Sequence, residues 1–173
     1  NKEICLVVKA NGYGHGIEWA VKTAIEGGVK WFAVAAINEA IKVRNVSDSV
    51  RILLLTEPSL SEIDKIVSNN IDLTVYNDFF IEGLEKSGNS FNTHIKIDTG
   101  MHRVGCEPED FENIYEKIKS SSNINLAGIC THFPVADIEK APTDVSIKLF
   151  KDLISNIDTS GLLIHVDNSG STF

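Results

Sequence analysis

The stretch that decides the fold is ICLVVKANGYGHG, residues 4–16. A run of mostly branched apolar residues ends in Lys9 and passes directly into three glycines around Tyr13 and His15. The apolar run predicts a strand buried on both faces, because it lacks the polar alternation of a half-exposed strand. Burial at the end of such a strand would lower the pKa of the lysine amine and favour Schiff-base chemistry. A lysine that merely extends its charged end into water would look the same in sequence, so both interpretations stay open here.

The same alternation of short apolar runs and amphipathic helical patterns continues along the chain. With the first run at residues 4–9, the predicted strands are 31–35, 51–56, 72–76, 94–98, 126–131 and 162–166. The predicted helices between them are 18–26, 38–45, 60–68, 78–86, 108–120 and 143–156. Strict alternation of strand and helix predicts a parallel sheet with right-handed crossovers.

Such a sheet can be doubly wound or closed into a barrel. The doubly wound nucleotide-binding fold predicts Gly-x-Gly-x-x-Gly after the first strand, whereas Gly12, Gly14 and Gly16 have the spacing Gly-x-Gly-x-Gly. Chemically reactive residues also follow the strands directly, and in a (β/α)8 barrel they would converge on the C-terminal face, where active sites lie. We therefore predict an α/β fold of the (β/α)8 barrel type, truncated to about seven strands, with residues 1–173 as one incomplete domain.

Composition excludes several classes of function. The net charge of −8 argues against a nucleic-acid partner and against an anionic membrane surface. No apolar run approaches the roughly 18 residues of a transmembrane helix, so membrane contact is expected only if an anchor precedes this sequence. The 3 cysteines are odd in number and lack metal-type spacing, which favours a reducing cytoplasm over a disulfide scaffold.

A second dense stretch is HIKIDTGMHRVG, residues 94–105. Lys96 and Asp98 share one face of the predicted strand, which points either inward or towards the helices. Arg103 follows a glycine turn, and its guanidinium suits bidentate recognition of a carboxylate or phosphate. An ordinary ion pair between Lys96 and Asp98 would give the same pattern.

Two shorter stretches follow the last predicted strands. His132 lies between Thr131 and Phe133 at the end of the sixth strand, where a histidine serves either packing or a site. Asn168 and Ser169 follow the seventh strand. Small polar residues with free backbone N–H groups suit a phosphate, which barrels often bind after their last strands, although a polar turn has the same composition.

Taken together and in this order, these motifs resemble the alanine racemase family, the fold-type III pyridoxal-phosphate (PLP) enzymes with an N-terminal barrel. The matching motifs are residues 8–16, 96–105, 131–133 and 165–169, and the resemblance spans essentially the whole chain. It implies a PLP-dependent isomerase that interconverts L- and D-alanine for peptidoglycan precursor supply. It also implies a homodimer in the full-length enzyme and a small amino acid as substrate.

The resemblance assigns catalytic roles to three residues. Lys9 would bind the cofactor covalently and act as one of two acid/base groups. Arg103 would contact the phenolic oxygen of the cofactor and orient the substrate carboxylate. His132 would lie against the pyridine ring.

The resemblance assigns binding roles to four more residues. Tyr13 and Ser169 would lie at the cofactor phosphate, and Asn168 would line the pocket. Lys96 matches a position that is carbamylated in many members, where the modified side chain holds the arginine in place. No residue is assigned to a metal.

The family also uses parts that lie outside this pattern. Its second acid/base group is a tyrosine from a C-terminal β domain, delivered across the dimer interface, and its eighth strand supplies an arginine that faces the pyridine nitrogen. We therefore expect the chain to be inactive alone.

Three alternatives stay open at this point. The racemase domains of vancomycin-resistance serine racemases are similar over the same motifs. A non-catalytic PLP-binding barrel protein would share the lysine of the first strand. A metal-dependent barrel hydrolase would use His15, His102, His132, His165 and Asp98, although no His-x-His pair supports it.

Overall fold

The computed structural model describes residues 3–134 and 140–166, and in this part seven strands form one parallel sheet. The strands are β1 (Cys5–Val7), β2 (Trp31–Val34), β3 (Arg51–Leu54), β4 (Asp72–Val75), β5 (Phe91–Lys96), β6 (Ile124–Cys130) and β7 (Leu163–His165). Each strand pairs in parallel with the next one along the chain, from β1 to β7. This sequential order confirms the predicted barrel topology and rejects the doubly wound alternative, in which the strand order reverses.

Helices connect the strands. They are α1 (Lys9–Tyr13), α2 (Ile17–Glu26), α3 (Ile37–Val46), α4 (Ile63–Ser68), α5 (Asp78–Ser87), α6 (Phe111–Ser120) and α7 (Lys140–Ile154). Short 3-10 turns, Leu60–Glu62 and Pro108–Asp110, precede α4 and α6, so the two predicted helices that began there each combine a tight turn with a helix. The prediction missed α1, because the first strand ends at Val7 rather than at residue 9.

The sheet is strongly curled. The indole ring of Trp31 on β2 lies 5.0 Å from the imidazole ring of His165 on β7, centroid to centroid. In a flat sheet these two strands would be about 24 Å apart, because neighbouring strands are spaced about 4.8 Å. The sheet therefore bends around an interior, as the barrel prediction requires.

Both faces of β2 to β6 are largely covered, which explains the absence of polar alternation in these strands, whereas β1 and β7 are only partly buried. On β2, Phe32 and Val34 belong to the large cluster that packs against the helices, whereas Trp31 and Ala33 belong to a smaller interior cluster. All four side chains are buried. Burial on both faces is typical of parallel strands in α/β proteins.

One arginine joins the segments that precede β3 and β4. Arg44, in the last turn of α3, donates five hydrogen bonds to backbone carbonyl groups at 2.8–3.3 Å. The acceptors are Ser47, Asp48, Val50, Asn69 and Asn70. These residues lie in the segments that lead into β3 and β4, so one guanidinium satisfies carbonyl groups that two loops leave unpaired.

We expect Arg44→Ala to lower the free energy of unfolding by roughly 2–4 kcal/mol, because it leaves several partly buried carbonyl groups without their charged donor. Urea unfolding followed by circular dichroism measures this loss. The matched control is Lys42→Ala, an exposed position on the same helix. Equal stability of the two variants would contradict the assigned role of Arg44.

Candidate functional site

Lys9 begins a turn of left-handed backbone directly after β1. The φ/ψ angles of Ala10, Asn11 and Gly12 are 51°/48°, 55°/46° and 63°/39°, and Tyr13 also has a positive φ of 52°. This conformation costs an L-residue about 1–2 kcal/mol because Cβ approaches the following carbonyl oxygen. Three consecutive non-helical residues beside a candidate nucleophile indicate that the backbone conformation serves the site.

Neighbouring elements hold this turn in place. The Gly12 amide donates to the Val8 carbonyl at 2.9 Å, and the Asn11 side chain accepts a hydrogen bond of 3.1 Å from the amide of Ile17 at the start of α2. Gly12 is buried, and a Cβ there would lie 3.3 Å from Cβ of Ala20, in addition to the positive φ. The turn is therefore built onto α2.

Glu39 on α3 braces the same turn from the other side. Its carboxylate accepts hydrogen bonds from the amide of Asn11 at 3.4 Å and from the amide of Ala35 at 3.1 Å. Sequence reasoning missed this role, because an acidic residue in the first turn of a helix is usual on electrostatic grounds alone. The side chain of Tyr13, at the end of the turn, is 59 % exposed and free to contact a ligand at the rim.

The loop after β5 is organised by the carboxylate of Asp98. It accepts three backbone hydrogen bonds, from Gly100 at 2.9 Å, His102 at 3.0 Å and Arg103 at 3.2 Å. Burial by itself would raise the pKa of Asp98, but the three amide donors outweigh it and hold the pKa below its usual range. The ionised carboxylate therefore fixes the backbone that carries Arg103.

The same loop returns to pair with the end of β5. The Cys106 amide donates to the Lys96 carbonyl and the Asp98 amide donates to the Cys106 carbonyl, both at 2.9 Å. Gly105 makes this close approach possible, since a Cβ there would lie 2.6 Å from the amide nitrogen of Asp98. Asp98 is thus engaged by backbone groups, and none of the ion pairs in the part of the chain that the structure describes joins it to Lys96.

Hydroxyl groups fasten this loop to its neighbours. Thr131, directly after β6, donates to the Ile97 carbonyl at 2.9 Å and therefore accepts from the Thr99 hydroxyl at 2.7 Å. Ser146 on α7 donates to the Thr99 carbonyl at 2.7 Å. Sequence reasoning had singled out the 131–133 stretch but not Ser146, because a serine inside a helix carries no signal of this kind.

The side chain of Lys96 points into the barrel interior rather than towards the helices. Its residue exposure is 8 %, and burial lowers the pKa of its amine. The charges of Arg103 and Lys9 lower it further, whereas Cys130 and Asp98 raise it. The structure therefore places Lys9 and Arg103 within electrostatic reach of Lys96, at the C-terminal ends of β1 and β5.

This arrangement suits an anionic ligand. Across residues 3–134 and 140–166, none of the carboxylates lies within ion-pair distance of Lys9, Lys96 or Arg103. His132, partly buried, is the second residue after β6 and follows Thr131, which contacts the loop. The candidate residues Asn168 and Ser169 lie outside the described residues.

Two further findings concern metal binding and membrane-spanning helices. Among the residues that the structure describes, no group of three or more His, Cys, Asp or Glu side chains could hold a metal ion, so the metal-dependent hydrolase gains no support. No helix in that part of the chain has the length and apolar character needed to cross a bilayer.

We expect Asp98→Asn to lower the free energy of unfolding at pH 7 by roughly 1–3 kcal/mol, since it removes a charged acceptor of three hydrogen bonds. Because the folded pKa lies below the unfolded value of about 3.9, the contribution of Asp98 is present above that pH and is lost as the pH falls through the folded pKa. In urea unfolding experiments, the difference in free energy of unfolding between wild type and variant should therefore become smaller below about pH 4.

Asp64→Asn, at an exposed helical position whose side chain accepts none of the hydrogen bonds of the described residues, is the control and should lower the free energy of unfolding at pH 7 much less than Asp98→Asn does. If the difference in free energy of unfolding between wild type and Asp98→Asn is the same at pH 7 and at pH 3, the negative charge of Asp98 does not stabilise the loop.

Comparison with known proteins gives a consistent result. The family model described as "Alanine racemase, N-terminal domain" matches residues 1–173. An alanine racemase of Treponema denticola is 38% identical over 99% of this chain and 48% of its own length. Solved alanine racemases of E. faecalis and Clostridium difficile superpose with TM-scores of 0.90 and 0.87, at 31% and 32% identity, over 98% of this chain.

The chain spans about half the length of the relatives it matches: 48% of the Treponema protein, 48% of the E. faecalis chain and 46% of the Clostridium chain. The match nevertheless covers the sheet, the strained turn after β1 and the loop after β5. With the family model matching its whole length, the chain belongs to the alanine racemase N-terminal domain family.

Proposed function

We propose that this chain is the cofactor-binding barrel of a PLP-dependent amino-acid racemase, with alanine as the substrate. The observation that carries the proposal is the position of Lys9. It begins a strained left-handed turn at the C-terminal edge of a curled parallel sheet, within electrostatic reach of Lys96. A Treponema denticola protein named alanine racemase aligns with 99% of this chain at 38% identity, which supports alanine as the substrate.

The chemistry of the donor set fits PLP. The cofactor carries a phosphate and a phenolic oxygen, both anionic at neutral pH, and an aldehyde that reacts with a lysine amine. Lys9 and Arg103 supply positive charge at one end of the barrel, and Lys9 supplies the amine. When bound, PLP withdraws electrons from the Cα–H bond of an amino acid, which is the chemistry that the protein itself lacks.

The residues of the chain would then do three things. Lys9 would bind the cofactor and exchange a proton with the substrate Cα from one face. Arg103, on a backbone fixed by Asp98, would hold the substrate carboxylate. Tyr13 and Ser169 would contact the phosphate, with Asn168 and His132 lining the pocket.

A second acid/base group must act on the opposite face for the Cα centre to invert. We propose that a part of the full-length protein outside the barrel supplies it, as a tyrosine from the second subunit of a homodimer. The activity is thus proposed for the full-length protein. D-alanine for peptidoglycan precursors would be its product, made in the cytoplasm.

We further propose that Lys96 is carbamylated. The neutral amine of Lys96 would add to CO2, forming an N–C bond and releasing one proton to solvent, and burial together with Arg103 and Lys9 lowers the pKa of Lys96 and so favours the neutral amine. The product would be a carbamate anion among cations, so it would replace a charge repulsion with an attraction to Arg103.

The first test is covalent trapping on the full-length protein. We expect PLP to give a visible absorption band, and borohydride to fix the cofactor on Lys9, as read by peptide mass mapping. Lys9→Ala should lose both the adduct and the conversion of L- to D-alanine. Lys22→Arg, at an exposed position of α2, is the control and should keep both. An adduct on a different lysine would refute the assignment.

The second test concerns Lys96. We expect the full-length protein in 13C-bicarbonate to show a carbamate carbon resonance that disappears in Lys96→Arg and persists in Lys22→Arg. Because the carbamate would hold Arg103, Lys96→Arg should also lower kcat/KM for alanine by about tenfold or more, the effect of losing one charged contact. A carbamate signal that survives in Lys96→Arg would contradict the proposal.

A further inference from the structure

Three aromatic rings meet inside the barrel, below the site, and the proposed function uses none of them. They belong to Trp31 on β2, His94 on β5 and His165 on β7. The imidazole centroids are 4.9 Å apart, and they lie 5.8 and 5.0 Å from the Trp31 ring. His94 has no exposed surface. Barrel interiors are usually filled by branched aliphatic residues, so buried histidines at this depth need a specific reason.

The two histidines are joined across an intervening strand. Nδ1 of His94 and Nε2 of His165 are 2.9 Å apart, and β6 runs between β5 and β7. Gly128 on β6 pairs with His94 on one side and with Leu163 on the other. A Cβ at position 128 would collide with Nδ1 of His94 and lie 2.6 Å from the Leu163 carbonyl oxygen. The hydrogen bond exists because β6 has no side chain there.

Asp72 determines which nitrogen of His94 carries the proton. Its Oδ2 atom lies 3.8 Å from Nε2 of His94, too far for a hydrogen bond but close enough for the carboxylate charge to favour an N–H dipole at that nitrogen. Arg51 donates to Oδ2 at 3.1 Å and Asn92 donates to Oδ1 at 3.2 Å, so the carboxylate is fixed in position. Burial by itself would raise the pKa of Asp72, but the His94 and Arg51 side chains outweigh it and lower the pKa, so the carboxylate is ionised.

The direction of the bond between the histidines follows. A carboxylate that faces Nε2 of His94 favours the proton on that nitrogen, which leaves Nδ1 as an acceptor. Nε2 of His165 must then donate. Burial, followed by the neighbouring His94, Arg51 and Lys96, lowers the pKa of His165 to about 3, so its ring is neutral and holds a single proton at neutral pH. That proton is used in the bond to His94.

This bond ties the interior side of β7 to β5. β7 is three residues long and, in the part of the chain that the structure describes, pairs with β6 alone. Of the β7 side chains, His165 is the one with a hydrogen bond across the interior among the described residues.

We propose that His94, oriented by Asp72, is a positioning residue that fixes His165 and thereby the C-terminal end of β7. The inference rests on the proposed function, because β7 leads along the sequence into Asn168 and Ser169, for which phosphate binding is proposed above. His94 would act through His165 and touch neither cofactor nor substrate. Its loss should therefore weaken the binding of the phosphate and leave the rest of the cofactor site intact.

The first measurement reads the protonation of the two rings directly. In the full-length protein with 15N-labelled histidine, we expect His165 to be neutral at pH 7 with its proton on Nε2, and Nδ1 of His94 to be unprotonated, with a scalar coupling across the bond between them. Asp72→Asn should give a mixture of His94 tautomers. A wild-type protein in which His94 is protonated on Nδ1 would overturn the proposal.

The second measurement separates phosphate binding from the rest of the site. The dissociation constants of PLP and of pyridoxal, which lacks the phosphate, are compared in each variant. We expect His94→Leu to weaken PLP binding by about tenfold, the effect of one buried hydrogen bond, and pyridoxal binding by less than about threefold. His94→Asn retains an acceptor near the position of Nδ1 and should restore most of the loss.

Gly128→Ala keeps the side chains of Asp72, His94 and His165 and separates the two imidazole rings, so it serves as the second variant if His94→Leu does not fold. It should show the same preferential loss of PLP binding. A wild-type protein that binds no PLP would refute the proposed function and this inference with it. If the wild-type protein binds PLP, two outcomes would refute this inference alone. In the first, His94→Leu or Gly128→Ala binds PLP and pyridoxal as tightly as the wild type does. In the second, the variant loses affinity for both ligands equally.

Discussion

The curl of the parallel sheet is the constraint on which the rest of the structure depends. Trp31 on β2 and His165 on β7 are in ring contact only because the sheet bends around an interior. The same curl directs Lys9 and Lys96, from strands four places apart in the sheet, towards one volume at the C-terminal edge. Burial on both faces supplies the low-dielectric surroundings that lower the pKa of Lys96.

Within this frame, the site depends on backbone segments that are costly to form and tightly held. The left-handed turn after Lys9 is braced by Asn11 and Glu39, and the loop before Arg103 is organised by the carboxylate of Asp98. Both segments place a cation at the edge of the sheet without pairing it to a carboxylate within residues 3–134 and 140–166. A rigid backbone with unneutralised charge is a preorganised site for an anionic ligand.

Much of this could be predicted from sequence, and the limits have physical reasons. Apolar runs and glycine spacing predicted the seven strands and the barrel, because periodicity and turn chemistry are local properties. The turn at Ala10 was missed because tertiary contacts impose a backbone conformation that alanine disfavours. Ser146 was missed, and so was the hydrogen bond of His94, because their partners lie 47 and 71 residues away along the chain. The roles of Asn168 and Ser169 stay predictions.

The most direct measurement of the central claim is a crystal structure of the full-length protein grown with PLP. The expected result is continuous electron density from Nζ of Lys9 to the cofactor, at the C-terminal end of the barrel, with Arg103 and Lys96 beside it. Cofactor density joined to a different lysine, or located at the N-terminal end of the sheet, would contradict the assignment of Lys9.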